Sequence, residues 1–293
     1  MSLLNNTIYN MDCIEGLKQV DDNSIDLIVT SPPYNAGIHY DSWNDCLPWG
    51  GYLDWCKEWL TECFRVLKDD GRICINHYIA FNPIDFSRED EADTYHECRF
   101  PLFDFREIMT DIGYNVSKIA IWEDRTMKKL TAWGSWLSAS SPHIQTPYEG
   151  ILIAYKKQWK KQSKGVSTIN VSEFMEGVSG IWNLGTTTGM TKANFPESLP
   201  HMCINLLSYY GDTVLDPFMG SGTTAKVAKE LGRKYIGFEI SRNYCDVALE
   251  RVANTEEGNL DDLIVRTAKE PSADEVIIED VQRFGRASLL DEI

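Results

Sequence analysis

The chain has 293 residues, 43% apolar and 25% charged, which is enough for one large domain or two small ones around a full core. No stretch reaches the roughly 18 uninterrupted apolar residues of a membrane helix, and the opening MSLLNNTIYNMD lacks a basic-then-apolar leader, so a cytoplasmic protein without a membrane partner is expected. The net charge of −16 argues at first sight against a polyanion partner.

The first clear element is the apolar run Ile25–Thr30, which reads as a buried strand. Ser31-Pro32-Pro33-Tyr34-Asn35 follows it directly. Two prolines fix φ and carry no N–H, and the residue before each is held extended. The outcome is a stiff backbone with bare carbonyls, a hydroxyl at one end and an aromatic ring at the other. Such a segment can accept hydrogen bonds from an amino group while a ring holds the flat molecule that bears it. By itself a Pro-Pro pair more often marks an ordinary turn after a strand.

Tyr52, Trp55, Cys56, Trp59, Leu60, Cys63, Phe64 and Leu67 recur at helical spacing and predict a helix packed on a sheet rather than a cofactor box. Asp69-Asp70-Gly71 is expected to end it, and Arg72–Asn76 to start the next strand. Residues 81–100 read as a long loop, Phe103–Asp111 as a helix, Asn115–Trp122 and Ile151–Tyr155 as strands. The eight cysteines contain no Cys-x-x-Cys, so zinc and dithiol chemistry fail on spacing. Several lie on apolar faces, where a buried thiol is expected.

Between Lys118 and Lys164 stand 9 basic and 3 acidic residues, a local reversal of the overall charge. Arg125, Lys128, Lys129, Lys156, Lys157, Lys160 and Lys161 are the candidates for holding phosphates, against the plainer reading of a solvated loop. Trp133 and Trp136 are candidates for a base pocket, with core packing at least as good an account. From about Gln158 to Trp182 periodicity is lost, which suggests an insertion.

Leu199–Tyr210 reads as a helix, Thr213–Asp216 as a strand, Thr223–Leu231 as a helix, Tyr235–Glu239 as a strand, and Ser241–Val252 as a helix capped by Ser241. Residues 254–293 carry 11 acidic and 4 basic residues, and read as an acidic tail with at most a short helix. Alternating strands and helices indicate an α/β sheet.

Asp216-Pro217-Phe218-Met219-Gly220-Ser221-Gly222-Thr223-Thr224 joins a predicted strand to a predicted helix. Its glycines let backbone approach a ligand, and the helix start offers unpaired N–H groups. Glu239 lies 23 residues beyond Asp216, at the end of the next strand, where a carboxylate can accept from both ribose hydroxyls. The pattern describes an adenosine-containing ligand. Gly220–Ala225 also fits the dinucleotide fingerprint, but about seventy residues follow, too few for that fold's remaining strands. No Gly-Lys-Ser/Thr follows, which excludes a phosphate loop.

Together the two segments resemble amino-methylating DNA methyltransferases. Ser31-Pro32-Pro33-Tyr34 is similar to their catalytic motif and Asp216–Thr224 to their S-adenosyl-L-methionine loop. Tyr34 precedes Asp216 by 182 residues, an order similar to the β subgroup. Tyr9–Cys13, Asn194–Pro200 and Tyr235–Glu239 agree, so the resemblance covers roughly residues 5–255.

The resemblance implies a Rossmann-like, seven-stranded mixed α/β sheet of the class I methyltransferases. Residues 1–157 would form the catalytic half and residues 183–253 the cofactor half. Residues 158–182, with the adjacent 122–148, would form a target-recognition insertion. It implies Ser31, Pro32, Pro33 and Tyr34 as catalytic residues, and Asp12, Phe195, Asp216, Phe218, Gly220, Ser221, Gly222, Thr223 and Glu239 around S-adenosyl-L-methionine, with no metal. Double-stranded DNA is the implied partner, with the target base flipped out and stacked on Tyr34. A pairing of two copies and a separate cognate endonuclease stay open. Ser31, where many adenine enzymes carry Asp, favours cytosine N4 over adenine N6. Asn35 also occurs in adenine enzymes, and RNA or a protein amide are alternative acceptors.

Overall fold

The computed structural model describes residues 3–38, 40–81, 98–123, 134–142, 144–185 and 195–268. Among them the chain runs β1 (Thr7–Asn10), α1 (Cys13–Leu17), β2 (Ile25–Thr30), α2 (Trp49–Val66), β3 (Leu67–Tyr78), α3 (Pro101–Ile112), β4 (Asn115–Glu123) and β5 (Tyr148–Tyr155). It continues through α4 (Val171–Ser179), β6 (Ile181–Trp182), α5 (Ser198–Leu207), β7 (Thr213–Asp216), α6 (Thr223–Glu230), β8 (Lys234–Glu239), α7 (Arg242–Ala253) and α8 (Leu260–Ala268).

The strands form one mixed sheet in the order β1-β8-β7-β2-β3-β5-β4-β6. Only β5 runs antiparallel to its neighbours. All six residues of β2 are buried, as a central parallel strand covered on both faces requires. Leu27 and Val29 join a core with α5, α6 and α7, while Ile25 and Ile28 join a second core with α1, α2 and α3. The result is a three-layer, doubly wound α/β sandwich. Among the described residues the count is eight strands rather than seven. The additional strand, β6, is two residues long and pairs with β4 at the sheet edge.

Strand connections run outward in opposite senses from β7 and β2, which are neighbours and pair Leu27 with Val214 and Ile28 with Leu215. That is the switch point where a crevice opens at the carboxyl ends of the strands. Both motifs therefore emerge at the same rim. Among the described residues no helix is long and apolar enough to cross a membrane.

Two local expectations are corrected. The Asp69-Asp70-Gly71 stop is not where α2 ends. The helix closes at Val66 and passes straight into β3, and residues 68–71 bulge where the register shifts between Ile25–Leu67 and Leu27–Arg72. The 158–182 stretch is also not without regular structure. It contains α4, started by a capping box between Asn170 and Glu173, followed by β6. In the acidic tail α8 is helical, and residues 269–293 lie outside the described residues.

The rim opposite the crevice is held by charge. Asp26, buried at the start of β2, accepts from Lys68 Nζ at 2.8 Å, Lys161 Nζ at 3.2 Å and Thr213 N at 3.0 Å. Lys161 also reaches Asp212 at 3.1 Å. Burial pushes the Asp26 carboxyl up, but the Lys68 hydrogen bond, the Thr213 amide and the Lys161 charge outweigh it and hold the group below its ordinary 3.8. Asp26→Asn should cost about 3 kcal/mol in chemical denaturation, because it leaves a buried ammonium undercompensated. The wild-type advantage should be complete above pH 3.8 and vanish as pH falls through the lowered folded value. A pH-independent difference would contradict this account.

Candidate active site

The crevice is a partly open cleft. Ser31 and Pro33 line it from the β2 side, and Pro217, Phe218 and Gly220 from the β7 side. Glu239 to Ser241 close one end, and Asp12 stands beside them. The two segments are joined directly: Thr30 Oγ1, the last side chain of β2, donates to Asp216 Oδ1 at 2.7 Å.

Asp216 does not face the cleft. It is fully buried and accepts also from Thr224 Oγ1 at 2.7 Å and Phe218 N at 3.0 Å. Burial raises its carboxyl to about 6 against the pull of these donors. Its role is to fix the turn, and the turn presents Phe218 and Gly220. Ser221 and Thr223 point the other way, where Arg251 donates to both side chains.

Gly220 has φ +54° and Gly222 φ +84°, a region that side chains disfavour. A Cβ on Gly222 would stand 2.8 Å from the Ala248 Cβ, whereas one on Gly220 meets nothing closer than 4.0 Å. Gly222→Ala should therefore destabilise by about 2–4 kcal/mol, combining αL strain with overpacking. Gly220→Ala should cost only about 1 kcal/mol. Equal losses in thermal unfolding would refute the packing argument.

Glu239 is oriented by two backbone donors, Gly220 N to Oε2 and Ser241 N to Oε1, both at 2.8 Å. Burial raises its carboxyl despite them. Asp12 lines the cleft and caps α1 through Ile14 N and Glu15 N. Phe195 is not brought to the cleft. It packs against the core on the α5 face.

Ser31 Oγ is half-exposed to the cleft and lies 2.9 Å from Tyr34 Oη. Tyr52 Oη donates to the Pro33 carbonyl at 2.7 Å, and Pro32, between Ser31 and Pro33, is buried and is not among the residues that line the cleft. Tyr34 corrects an expectation. Its ring is only 8% exposed, does not line the cleft, and stacks on His77 at 4.1 Å with the Tyr78 edge at 4.7 Å. It cannot stack on an incoming base without leaving this seat. Burial keeps His77 neutral, at about 3.

Beyond the motif the backbone is pinned by Asp45, whose carboxylate accepts from Asn35 N at 2.8 Å and from Ala36 N and Ile38 N at 3.0 Å. Tyr40, Asp41, Ser42 and Trp43 then cross the cleft. Ser241 Oγ donates to Asp41 at 2.6 Å. Trp43 and Trp55 meet at 4.5 Å, and Trp55 meets Phe218 at 5.4 Å, so the cleft has an aromatic wall. Trp55 was legible as a helix residue, and only its place at the helix edge gives it this second use.

The basic candidates separate. Arg125, Lys128, Lys129 and Trp133 lie outside the described residues, and Trp136 is exposed away from the cleft lining. Lys156, Lys157, Lys160 and Lys161 are corrected as phosphate holders of this site. They follow β5 at the rim opposite Ser31, about 20 Å away along a six-residue strand. Lys156 Nζ donates to Asn23 Oδ1 and to the Arg65 and Leu67 carbonyls, Lys157 pairs with Asp69, and Lys161 belongs to the Asp26 cluster. The 158–170 segment is strapped to the body. Gln162 N donates to Asp70 at 2.6 Å, and Arg233, held near 10 by burial, reaches Thr168 at 2.6 Å.

The chain is similar to the type II methyltransferase M.MjaVI of Methanocaldococcus jannaschii, with 39% identity over 182 residues that cover 62% of this chain and 84% of that one. Its fold is similar to TTHA0409 of Thermus thermophilus, a putative DNA modification methylase solved with S-adenosyl-L-methionine. That match has TM-score 0.65 and 28% identity, and covers 84% of this chain and 92% of that one. It also matches the PvuII DNA methyltransferase at TM-score 0.64, where 21% identity over 91% of this chain and 93% of that one speaks to fold alone. The family model described as DNA methylase, of the N6/N4 type, matches residues 25–250. With that match spanning most of its length, and both motifs opening on one cleft, the chain belongs to the N6/N4 DNA methylase family.

Proposed function

We propose that this protein transfers a methyl group from S-adenosyl-L-methionine to the exocyclic N4 of a cytosine flipped out of duplex DNA. The observation that carries the reading is the shared cleft, with Ser31 on one wall and Gly220 and Glu239 on another, locked together through Thr30 and Asp216.

The cleft fits the cofactor. Glu239 is presented to accept from ribose hydroxyls, Gly220 allows close approach, and Phe218, Trp55 and Trp43 offer flat apolar surface to an adenine. When bound, S-adenosyl-L-methionine supplies an electrophilic methyl on a sulfonium. The remaining work falls to the β2 segment. An exocyclic base nitrogen is a poor nucleophile, because its lone pair is delocalised into the ring. Ser31 Oγ and the Pro32 carbonyl accept the two amino hydrogens and draw the nitrogen toward a tetrahedral form. Its lone pair is then aimed at the cofactor side of the cleft. The methyl that the bound cofactor would supply would pass to this nitrogen with release of the neutral thioether, and the surplus amino proton, held by these acceptors, would leave to water in the cleft. Positioning supplies much of the rate, and flipping the base costs a few kcal/mol.

Ser31 supports cytosine N4 over adenine N6. Asn35 does not count against it, because its side chain is engaged in holding the backbone. Its Nδ2 donates to the Leu47 carbonyl at 2.8 Å and its Oδ1 accepts from Leu47 N at 2.7 Å. Base recognition is proposed for the 122–148 connection, which leaves β4 and re-enters β5 at the rim carrying Ser31.

The test is transfer of tritium from labelled S-adenosyl-L-methionine to unmethylated genomic DNA, followed by nucleoside chromatography. N4-methylcytosine is expected. N6-methyladenine would overturn the base assignment, and label on RNA or protein alone would overturn the substrate.

A further inference from the structure

Tyr34 Oη stands at a junction of three oxygens from three different segments. Glu149 Oε2 on β5 lies at 2.8 Å, Ser31 Oγ at 2.9 Å and Asn76 Oδ1 on β3 at 3.0 Å. Glu149, Asn76 and Tyr34 are all buried. The protons at this junction can be assigned by elimination. A phenol has one proton to donate, and a carboxylate only accepts. The charged acceptor wins that proton, since charge-assisted hydrogen bonds are the stronger ones. Burial, and then the Glu149 charge, push the Tyr34 phenol well above its ordinary range, so the proton stays in place.

Asn76 cannot supply the bond that Tyr34 Oη still accepts. Its amide nitrogen is turned to the Gly150 carbonyl at 3.4 Å, which leaves its oxygen toward the phenol. Of the three neighbours, only Ser31 has a proton for Tyr34 Oη. A serine hydroxyl has one hydrogen and two lone pairs. With the hydrogen committed inward, the lone pairs are what the cleft meets.

We propose that Glu149, acting through Tyr34 Oη, fixes the Ser31 hydroxyl as a hydrogen-bond acceptor, so that the site takes a base bearing an amino group and rejects one bearing a carbonyl in its place. The inference rests on the reading of Ser31 given above. A serine free to turn can donate to a carbonyl as readily as it accepts from an amine. Cytosine and uracil differ at that atom in just this respect, and an unpaired buried partner is what makes such discrimination steep. Glu149 is then a positioning residue, and Tyr34 is the relay rather than a stacking platform.

The experiment is a double-mutant cycle on the full chain. Single-turnover transfer of tritiated methyl to unmethylated genomic DNA is measured, with cofactor affinity by calorimetry alongside. Glu149→Ala should slow transfer by about 10–100-fold, the scale of a misplaced catalytic group, with cofactor affinity unchanged within about twofold. In a Ser31→Ala background the same substitution should slow transfer no further, because there is no hydroxyl left to orient. Tyr34→Phe should show the same coupling, and serves if Glu149→Ala does not fold. Losses that multiply in the double variants would mean a general structural defect and overturn the proposal, as would wild-type transfer by Glu149→Ala. If the wild-type protein puts no label on DNA, the methyltransferase reading falls first and this one with it.

Discussion

Ser31→Ala should leave the fold and the cofactor affinity intact and slow methyl transfer by about 10²–10³, the usual cost of losing one preorganised polar contact to a transition state. The hydroxyl is half-exposed, and its removal creates no large void. Tyr34 loses the hydrogen bond it accepts from Ser31 but keeps its charged acceptor, Glu149, so the ring stays in its seat behind the motif. The cofactor side of the cleft is built from other segments: Glu239 on β8, its two backbone donors, and the aromatic wall from Trp43, Trp55 and Phe218. The effect should therefore fall on the rate of the chemical step. Calorimetric titration of S-adenosyl-L-methionine, with single-turnover transfer to genomic DNA, separates the two. A parallel loss of cofactor affinity would place Ser31 in binding rather than in chemistry.

Asp216→Ala should be the most damaging change to the framework, on the order of 3 kcal/mol at neutral pH. It leaves Thr30 Oγ1, Thr224 Oγ1 and Phe218 N facing a void instead of a carboxylate. The turn carrying Phe218 and Gly220 then loses its anchor, and cofactor affinity should fall with stability. The pH dependence has a definite sign. The folded carboxyl lies at about 6 and the ordinary value is 3.8. A raised folded value contributes stability that is complete below 3.8 and lost as pH rises through 6. The gap between wild type and Asp216→Ala should therefore widen as pH is lowered from 7.5 toward 4, by up to about 3 kcal/mol. Denaturant titrations at several pH values check it. A gap that narrows on acidification would show that the three donors outweigh burial.

The parts of this fold that were legible in the sequence are those where burial imposes a period. β2 is apolar on both faces, α2 carries one apolar stripe, and the β7-α6-β8-α7 unit has its glycine turn and serine cap in the expected places. β1 escaped because a four-residue edge strand with one buried side chain has no period to read. β6 is shorter still. α4 escaped because Gly177 is its only buried residue and Phe174, Met175 and Val178 are exposed, which inverts the usual pattern. Its Asn170-x-x-Glu173 capping box was the available signal.

The site divides in the same way. Unusual residues in a row, such as Ser31-Pro32-Pro33-Tyr34 and the glycine turn, announce themselves. Asn76, Glu149 and Asp45 do not. Each is an ordinary polar residue; Asn76 and Glu149 stand far along the chain from Tyr34 and gain a role only through the pairing of β3 with β5, and Asp45 gains one through the closing of a short loop. The lysines after β5 misled for the opposite reason. Their charge is visible in the sequence, but the direction of β5 is not, and that direction carries them to the wrong rim.

With Lys156, Lys157, Lys160 and Lys161 at that far rim, few of the nominated cations are left to displace sodium ions from a phosphate backbone. Seven such contacts would make log affinity fall with a slope of about −6 against log salt, whereas the three cations of the 122–148 connection give about −3. With so shallow a slope, a protein of net charge −16 would hold DNA by electrostatics only loosely. Discrimination between sites then rests on the groups that read the bases, and release after each turnover should be quick at physiological salt.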